Sequence, residues 1–241
     1  MNWFFIDTGF RDPYFNMAFD EALMDFVRER GVPVLRFFNF SPESITIGFH
    51  QRVGEWLISL KEKGIPFVRR PTGGRAVIHS GDFTYSITFT RDDPLIGGET
   101  VLDSYKKIAE GFKRAFDMLG VQVDIVRGRG QGDDQLCFSA PSWYEFTHKG
   151  RKLIGSAQVR RGNVALQQGT LMIKRPGEPF PEVKGMVSLS EALGRDVTLD
   201  ELKEAVKKGF SEAFGINFVP LPDIDNIPYE KYRSDEWNFK R

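Results

Sequence analysis

Residues 69–79 read Arg-Arg-Pro-Thr-Gly-Gly-Arg-Ala-Val-Ile-His (RRPTGGRAVIH), directly after the apolar run Ile65-Pro-Phe-Val68. Adjacent glycines permit positive φ or let backbone approach a ligand closely, and the three arginines supply fixed donors for an anionic group. The same letters also describe a tight strand-to-strand turn with solvated arginines. Short glycine-rich motifs are common enough that the local pattern does not choose between the two.

Working outward, hydrophobic periodicity sets the surrounding elements. Phe15, Ala18, Phe19, Ala22, Leu23, Phe26 and Val27 repeat at helical spacing, which predicts a core helix over Asn16 to Arg30 closed by Gly31. Val34 to Phe38, Ser44 to Gly48, Pro66 to Arg69 and Asp82 to Thr90 are rich in β-branched and aromatic residues and read as strands, with a short helix over Trp56 to Lys63. Val101 to Leu119 predicts a helix ending at Gly120, followed by a strand in VQVDIV. From Gln135 to Lys174 the pattern is a strand meander with turns at Lys149-Gly150 and Arg161-Gly-Asn163. Thr198 is placed to cap a last helix, LDELKEAVKKGFSEAF, closed by Gly215. Strands and helices are grouped rather than alternated, so the expected class is α+β. Gly128 to Asp134 (GRGQGDD) reads as a loop within the domain, and the charged, aromatic-studded tail Tyr229 to Arg241 as a loosely attached segment of no assigned role.

Composition limits the function classes. The chain has 241 residues, 41% of them hydrophobic, enough for a full core. Lys+Arg and Asp+Glu are both 33, so no global field exists to hold a nucleic-acid backbone. A basic cluster at Arg69, Arg70, Arg75, Arg127 and Arg129 remains as the material for a non-catalytic binding protein. The opening MNWFFIDTGFRDPYF lacks the features of a signal peptide, and no apolar run is long enough to span a bilayer. A cytoplasmic protein with neither membrane nor nucleic acid as partner is expected. His50, His79 and His148 are scattered and there is one cysteine, so no metal site is expected.

That cysteine, Cys137, is either a small core residue or a nucleophile, and Lys152 follows 15 positions later in the meander. Two strands of a hairpin can bring such positions together, and a lysine ammonium beside a thiol favours the reactive thiolate.

Taken in order, RRPTGGRAVIH, CFSAPSWYE, GRKLIGSAQ and LQQGT resemble the catalytic domain of the lipoate/biotin protein ligase superfamily, and within it the cysteine-containing octanoyltransferase branch of LipM type. The likeness runs from FIDTG and NMAFDEALM to about residue 215. It implies a single catalytic domain over residues 1–215, with a mixed, mostly antiparallel sheet and flanking helices, and a C-terminal tail over 216–241 that either packs on the same domain or is loosely attached. It implies that Arg69 to His79 lines the acyl channel. Gly73, Gly74 and Ala76 would lie beside the acyl thioester, Arg70 and Arg75 would meet carrier phosphate or an acidic carrier surface, and His79 would be a satisfied imidazole or orient the loop. Arg75 replaces the third glycine common in the ligases, and Ser80 stands where an acidic residue often follows the histidine. By the same resemblance, Cys137 would carry the acyl group and Lys152 would lower its pKa, with Gly155, Ser156 and Ala157 in the adjoining turn. The implied reaction moves octanoyl from acyl carrier protein to a lipoyl-domain lysine, with glycine cleavage H protein the expected acceptor and no ATP, metal or other cofactor. Transfer from octanoyl-H protein to dehydrogenase lipoyl domains and ATP-dependent ligation are the alternatives that the resemblance leaves open.

Overall fold

The computed structural model describes residues 1–126 and 146–240. Cys137, Arg127, Arg129, Gly128 to Asp134 and the start of the expected meander lie outside the described residues.

The chain enters through strand β1 (Asn2–Arg11) and turns at once into helix α1 (Pro13–Arg30). The helix begins three residues before the expected Asn16, because Asp12 caps it: its carboxylate accepts the amides of Tyr14 (3.0 Å) and Phe15 (2.9 Å), with Pro13 in the first turn. Gly31 closes it in the left-handed conformation, as its position in the sequence suggests. Then come β2 (Val34–Phe40), β3 (Ser44–Ile47), α2 (Glu55–Glu62), β4 (Phe67–Arg69), β5 (Val77–His79) and β6 (Asp82–Thr90). Helix α3 (Val101–Leu119) leads to β7 (Asp124–Ile125), and after residue 145 follow β8 (Phe146–His148), β9 (Arg151–Lys152), β10 (Ile154–Arg161) and β11 (Val164–Met172). Helices α4 (Leu189–Leu193) and α5 (Leu199–Phe214), strand β12 (Asn217–Pro220), and helices α6 (Tyr229–Arg233) and α7 (Asp235–Asn238) complete the chain.

Among the described residues the strands form a six-stranded sheet, ordered β10-β11-β6-β2-β1-β12, and two three-stranded sheets, β4-β3-β5 and β7-β8-β9. In the large sheet β10, β11, β6 and β2 pair antiparallel, while β1 pairs parallel with both β2 and β12. The α+β class with a mixed, mostly antiparallel sheet is therefore what the chain adopts. Alternation along β6 divides the protein into layers. Phe83, Tyr85, Ile87 and Phe89 enter the main core with Phe112 and Phe116 of α3 and Phe210 of α5, whereas Ser86 on the opposite face meets Asp20 of α1. Helix α1 thus covers one face of the sheet and the α3/α5 pair the other.

The tail is not loosely held. β12 extends the main sheet, Tyr232 is fully buried among Met17, Ala18, Phe38, Phe40 and Val68, and Glu21 of α1 takes ion pairs from Lys231 and from Arg161 at the end of β10. Of the tail's aromatic side chains Tyr232 is buried, Trp237 is half-buried and Phe239 is exposed. Gly215 closes α5, and the tail that follows packs on the same sheet. Among the described residues no helix is long and apolar enough to cross a membrane.

Candidate active site

The small sheet decides the opening motif. β4 and β5 both flank the central strand β3, so residues 70–76 do not form a hairpin turn but cross over the end of β3 from one edge to the other. Their path borders a cleft of about 350 Å³, counted with its open mouth, on the α1 face of the large sheet. Met17, Phe38, Phe40 and Val77 supply its apolar wall, and Gly155 to Ala157 of β10 and Gln168 to Thr170 of β11 its floor.

The polar groups beneath the cleft form one connected network. Asp20, fully buried, accepts from Arg36 Nη1 (2.7 Å), Ser86 Oγ (2.7 Å) and Gln168 Nε2 (2.7 Å). Arg36 also donates to the side chain and carbonyl of Asn16 and to Thr8, with its guanidinium 4.6 and 4.1 Å from the ring centres of Phe19 and Phe38. Burial pulls Arg36 below the usual arginine pKa, and the Asp20 charge and hydrogen bond offset only part of that pull. Gln168 passes the network to Thr72, whose hydroxyl donates to its Oε1 (2.7 Å), and Thr72 in turn accepts from Arg70 Nε (3.1 Å).

Arg70 faces inward. Its guanidinium donates to the carbonyls of Gly73 (2.6 Å), Arg75 (2.8 Å) and Thr46 (3.3 Å), and the residue is 5% exposed. The sequence suggested a donor for carrier phosphate; the structure shows a side chain that shapes its own loop. Arg69 is also buried, so two members of the suspected basic surface cluster are interior groups. Arg75 is half-buried on the loop.

His79 is held on both nitrogens, Nε2 against Thr46 Oγ1 (3.0 Å) and Nδ1 against Asp82 Oδ2 (2.7 Å), and its ring stacks on Phe40 at 3.7 Å. The acidic partner of this histidine is thus Asp82, three residues on, while Ser80 donates to Glu43 (2.5 Å). Asp82 also accepts from Thr84 (2.8 Å), which touches Thr170 (3.2 Å).

Positive φ explains Gly74, and close backbone contact explains Gly48. Gly74 has φ +90 and is exposed; a Cβ there would lie 2.9 Å from Arg70 Nη2 and 3.9 Å from the Ala157 Cβ, which places the loop against β10. Gly48, which sequence reasoning passed over, is more constrained: a Cβ on it would stand 1.8 Å from the Gly74 carbonyl oxygen.

The structure therefore brings Arg70, His79, Gly155, Ser156 and Ala157 to the cleft, with Gly73, Gly74, Arg75 and Ala76 on the adjoining loop. Ser156 Oγ meets Tyr85 OH at 2.9 Å across the sheet. Lys152 is 2% exposed in β9, three residues ahead of Gly155; its amide donates to Gly185 and its carbonyl accepts from Val187. Its expected partner Cys137 lies outside the described residues. Among the described residues no three His, Cys, Asp or Glu side chains gather as a metal site would require. Sequence reasoning missed Met17, Thr46, Asp82, Thr84 and Gln168, and placed Thr72 in the lining loop without a role of its own. The alternation of Thr84, Ser86 and Thr88 with apolar residues on β6, and the lone Arg36 in VLRFFNF, were the signals available.

Comparison with known proteins agrees with this geometry. The Lipoyl protein ligase A/B catalytic domain matches residues 12–211. The chain is 37% identical to Octanoyltransferase LipM of Geobacillus kaustophilus, over 99% of this chain and 98% of that protein. Identity to Octanoyltransferase LipM of Moorella thermoacetica is 40%, over 90% and 88%. Among solved structures, lipoate-protein ligase A bound with ATP superposes with a TM-score of 0.81 at 23% identity, covering 99% of both chains, and a bi-partite lipoate protein ligase from Thermoplasma acidophilum with 0.78 at 22%, covering 100% of this chain and 98% of that one. Fold and sequence thus agree, and the chain belongs to the lipoyl protein ligase A/B catalytic-domain family.

Proposed function

We propose that this protein is an acyltransferase that moves octanoyl from the thioester of acyl carrier protein, through a thioester on Cys137, to a lysine amine of a lipoyl-domain protein, with glycine cleavage H protein as the acceptor. Its curated relatives at 33–40% identity are octanoyltransferases, which sets the acyl group. The observation that carries the reading over ATP-dependent ligation is the likeness to octanoyltransferases, 33–40% identical over 90–99% of the chain, against 22–23% for the lipoate-protein ligases of known structure. The Arg70 guanidinium is used on loop carbonyls and Thr72, beside a narrow cleft with a mainly apolar lining.

In this mechanism the Cys137 thiolate attacks the donor carbonyl and the carrier thiolate leaves. The acceptor amine then attacks the enzyme thioester, loses a proton, and displaces the Cys137 thiolate as the amide forms. Lys152 would favour the thiolate as its neighbouring cation. β10 is the outermost strand of its sheet among the described residues, so alternate amides along it point away from β11, and those of Gly155 to Ala157 are the candidate donors to the transient oxyanion. A cytoplasmic location follows from this reading.

The test is transfer from octanoyl-carrier to apo H protein and, separately, to dehydrogenase lipoyl domains. Amide formation without ATP, fastest on H protein, is expected, and Lys152→Ala should move the reaction to higher pH. Transfer that needs free octanoate and ATP would replace this reading with ligation; preference for the dehydrogenase domains would reassign the acceptor.

A further inference from the structure

Arg69, the first residue of the motif, connects the cleft to the far end of the chain. Its guanidinium donates to the carbonyls of Gly48 (2.9 Å), Phe49 (3.0 Å) and Gln51 (2.7 Å) on one side, and of Trp237 (3.2 Å), Asn238 (2.8 Å) and Lys240 (3.2 Å) on the other. Its main chain is held by the same segment: the amide donates to Asn238 Oδ1 (2.8 Å), and the carbonyl accepts from Trp237 Nε1 (2.8 Å). Asn238, 4% exposed, is fixed in turn by its Nδ2 donating to the carbonyls of Tyr232 (2.7 Å) and Ser234 (3.0 Å). β4 is an edge strand, and residues 237–240 satisfy the groups it would otherwise turn to solvent.

The 48–51 segment that Arg69 gathers is the one whose Gly48 abuts the Gly74 carbonyl and whose Phe49 amide donates to the Thr72 carbonyl (2.9 Å). We infer that residues 237–240 are a positioning element for acyl transfer: through Arg69 they fix the 48–51 segment, and through it the glycine loop at the cleft mouth. As a claim about reaction, this rests on the function proposed above. A planar guanidinium suits the task because its five donors hold a fixed fan of carbonyls that a lysine cannot span.

Hydrogen exchange on the full-length protein reads the inference without any acyl donor. The Phe49 amide and the Arg70 amide, which donates to Ile47 (3.0 Å), make no bond to the tail. In Asn238→Ala both are expected to exchange roughly tenfold faster, about the factor carried by one lost buried hydrogen bond, with α3 and α5 unchanged. Asn238→Asp keeps the acceptor for the Arg69 amide and should restore part of the protection. Trp237→Phe keeps an aromatic side chain, removes the Nε1 donor, and decides the matter if Asn238→Ala does not fold. In kinetics, the same variants should lower kcat/KM for the octanoyl donor while small-molecule alkylation of Cys137 stays at the wild-type rate. Faster exchange confined to residues 229–240, with unchanged acylation per folded molecule, would reduce the segment to a brace and overturn the inference. Failure of the wild type to accept octanoyl would instead count against the proposed function and leave the exchange result to stand alone.

Discussion

Gly48→Ala is expected to cut octanoyl transfer on the order of a hundredfold while leaving the sheet and helices folded, the loss that a misplacement of about 1 Å near a reacting centre produces. The added carbon would lie 1.8 Å from the Gly74 oxygen, 2.7 Å from its carbonyl carbon and 3.2 Å from the Gly73 carbonyl carbon. All three are backbone atoms, so no side chain can swing aside, and either β3 or the glycine loop must shift. The loop is the part free to move, because its mouth is exposed at Gly74 while β3 is buried along its length. Gly73→Ala is the informative contrast, since a Cβ there meets nothing within 4 Å and a far smaller loss is expected. Steady-state kinetics beside circular dichroism checks both, and near-normal turnover by folded Gly48→Ala would show that the loop's position is not critical.

Asp20→Ala is expected to destabilise the fold by roughly 3–5 kcal/mol, the range for stripping one partner from a buried ion pair. The cause is what remains: an arginine with no solvent exposure, flanked by two phenylalanine rings, and the Ser86 and Gln168 donors that have lost the acceptor on which they converge. For a domain of this size that corresponds to a fall in Tm of about 10 °C or more. Because Gln168 also holds Thr72, the surviving folded fraction should bind acyl donor weakly. Calorimetry that shows a shift of only a degree or two would mean that water or relaxation replaces the pair.

Much of the scaffold was legible because its signals are local. Gly31, Gly120, Thr198 and Gly215 stop or cap helices where the periodicity places them, and the turn at Lys149-Gly150 takes positive φ at both residues. What the sequence hid is carried by long-range contacts. The Asp12-Pro13 cap is a local signal that an expected start at Asn16 overlooks, but Arg69 binds groups 168 to 171 positions away, and no local pattern distinguishes a surface arginine from one that anchors the C-terminus. The glycine pair was recognised as a site of close backbone approach, whereas Gly48 was not, since its reason is a carbonyl that only the crossover of the small sheet brings to it. In the same way the sequence does not show that Arg70 donates to the carbonyls of its own loop.

Covalent capture of the acyl group tests the central claim most directly. Intact-mass spectrometry of the protein incubated with octanoyl-carrier in the absence of ATP is predicted to show one added octanoyl group, located at Cys137 by peptide mapping, absent from Cys137→Ala, and discharged when an apo lipoyl-domain acceptor is added. A protein that stays unmodified while turnover depends on ATP would contradict the account.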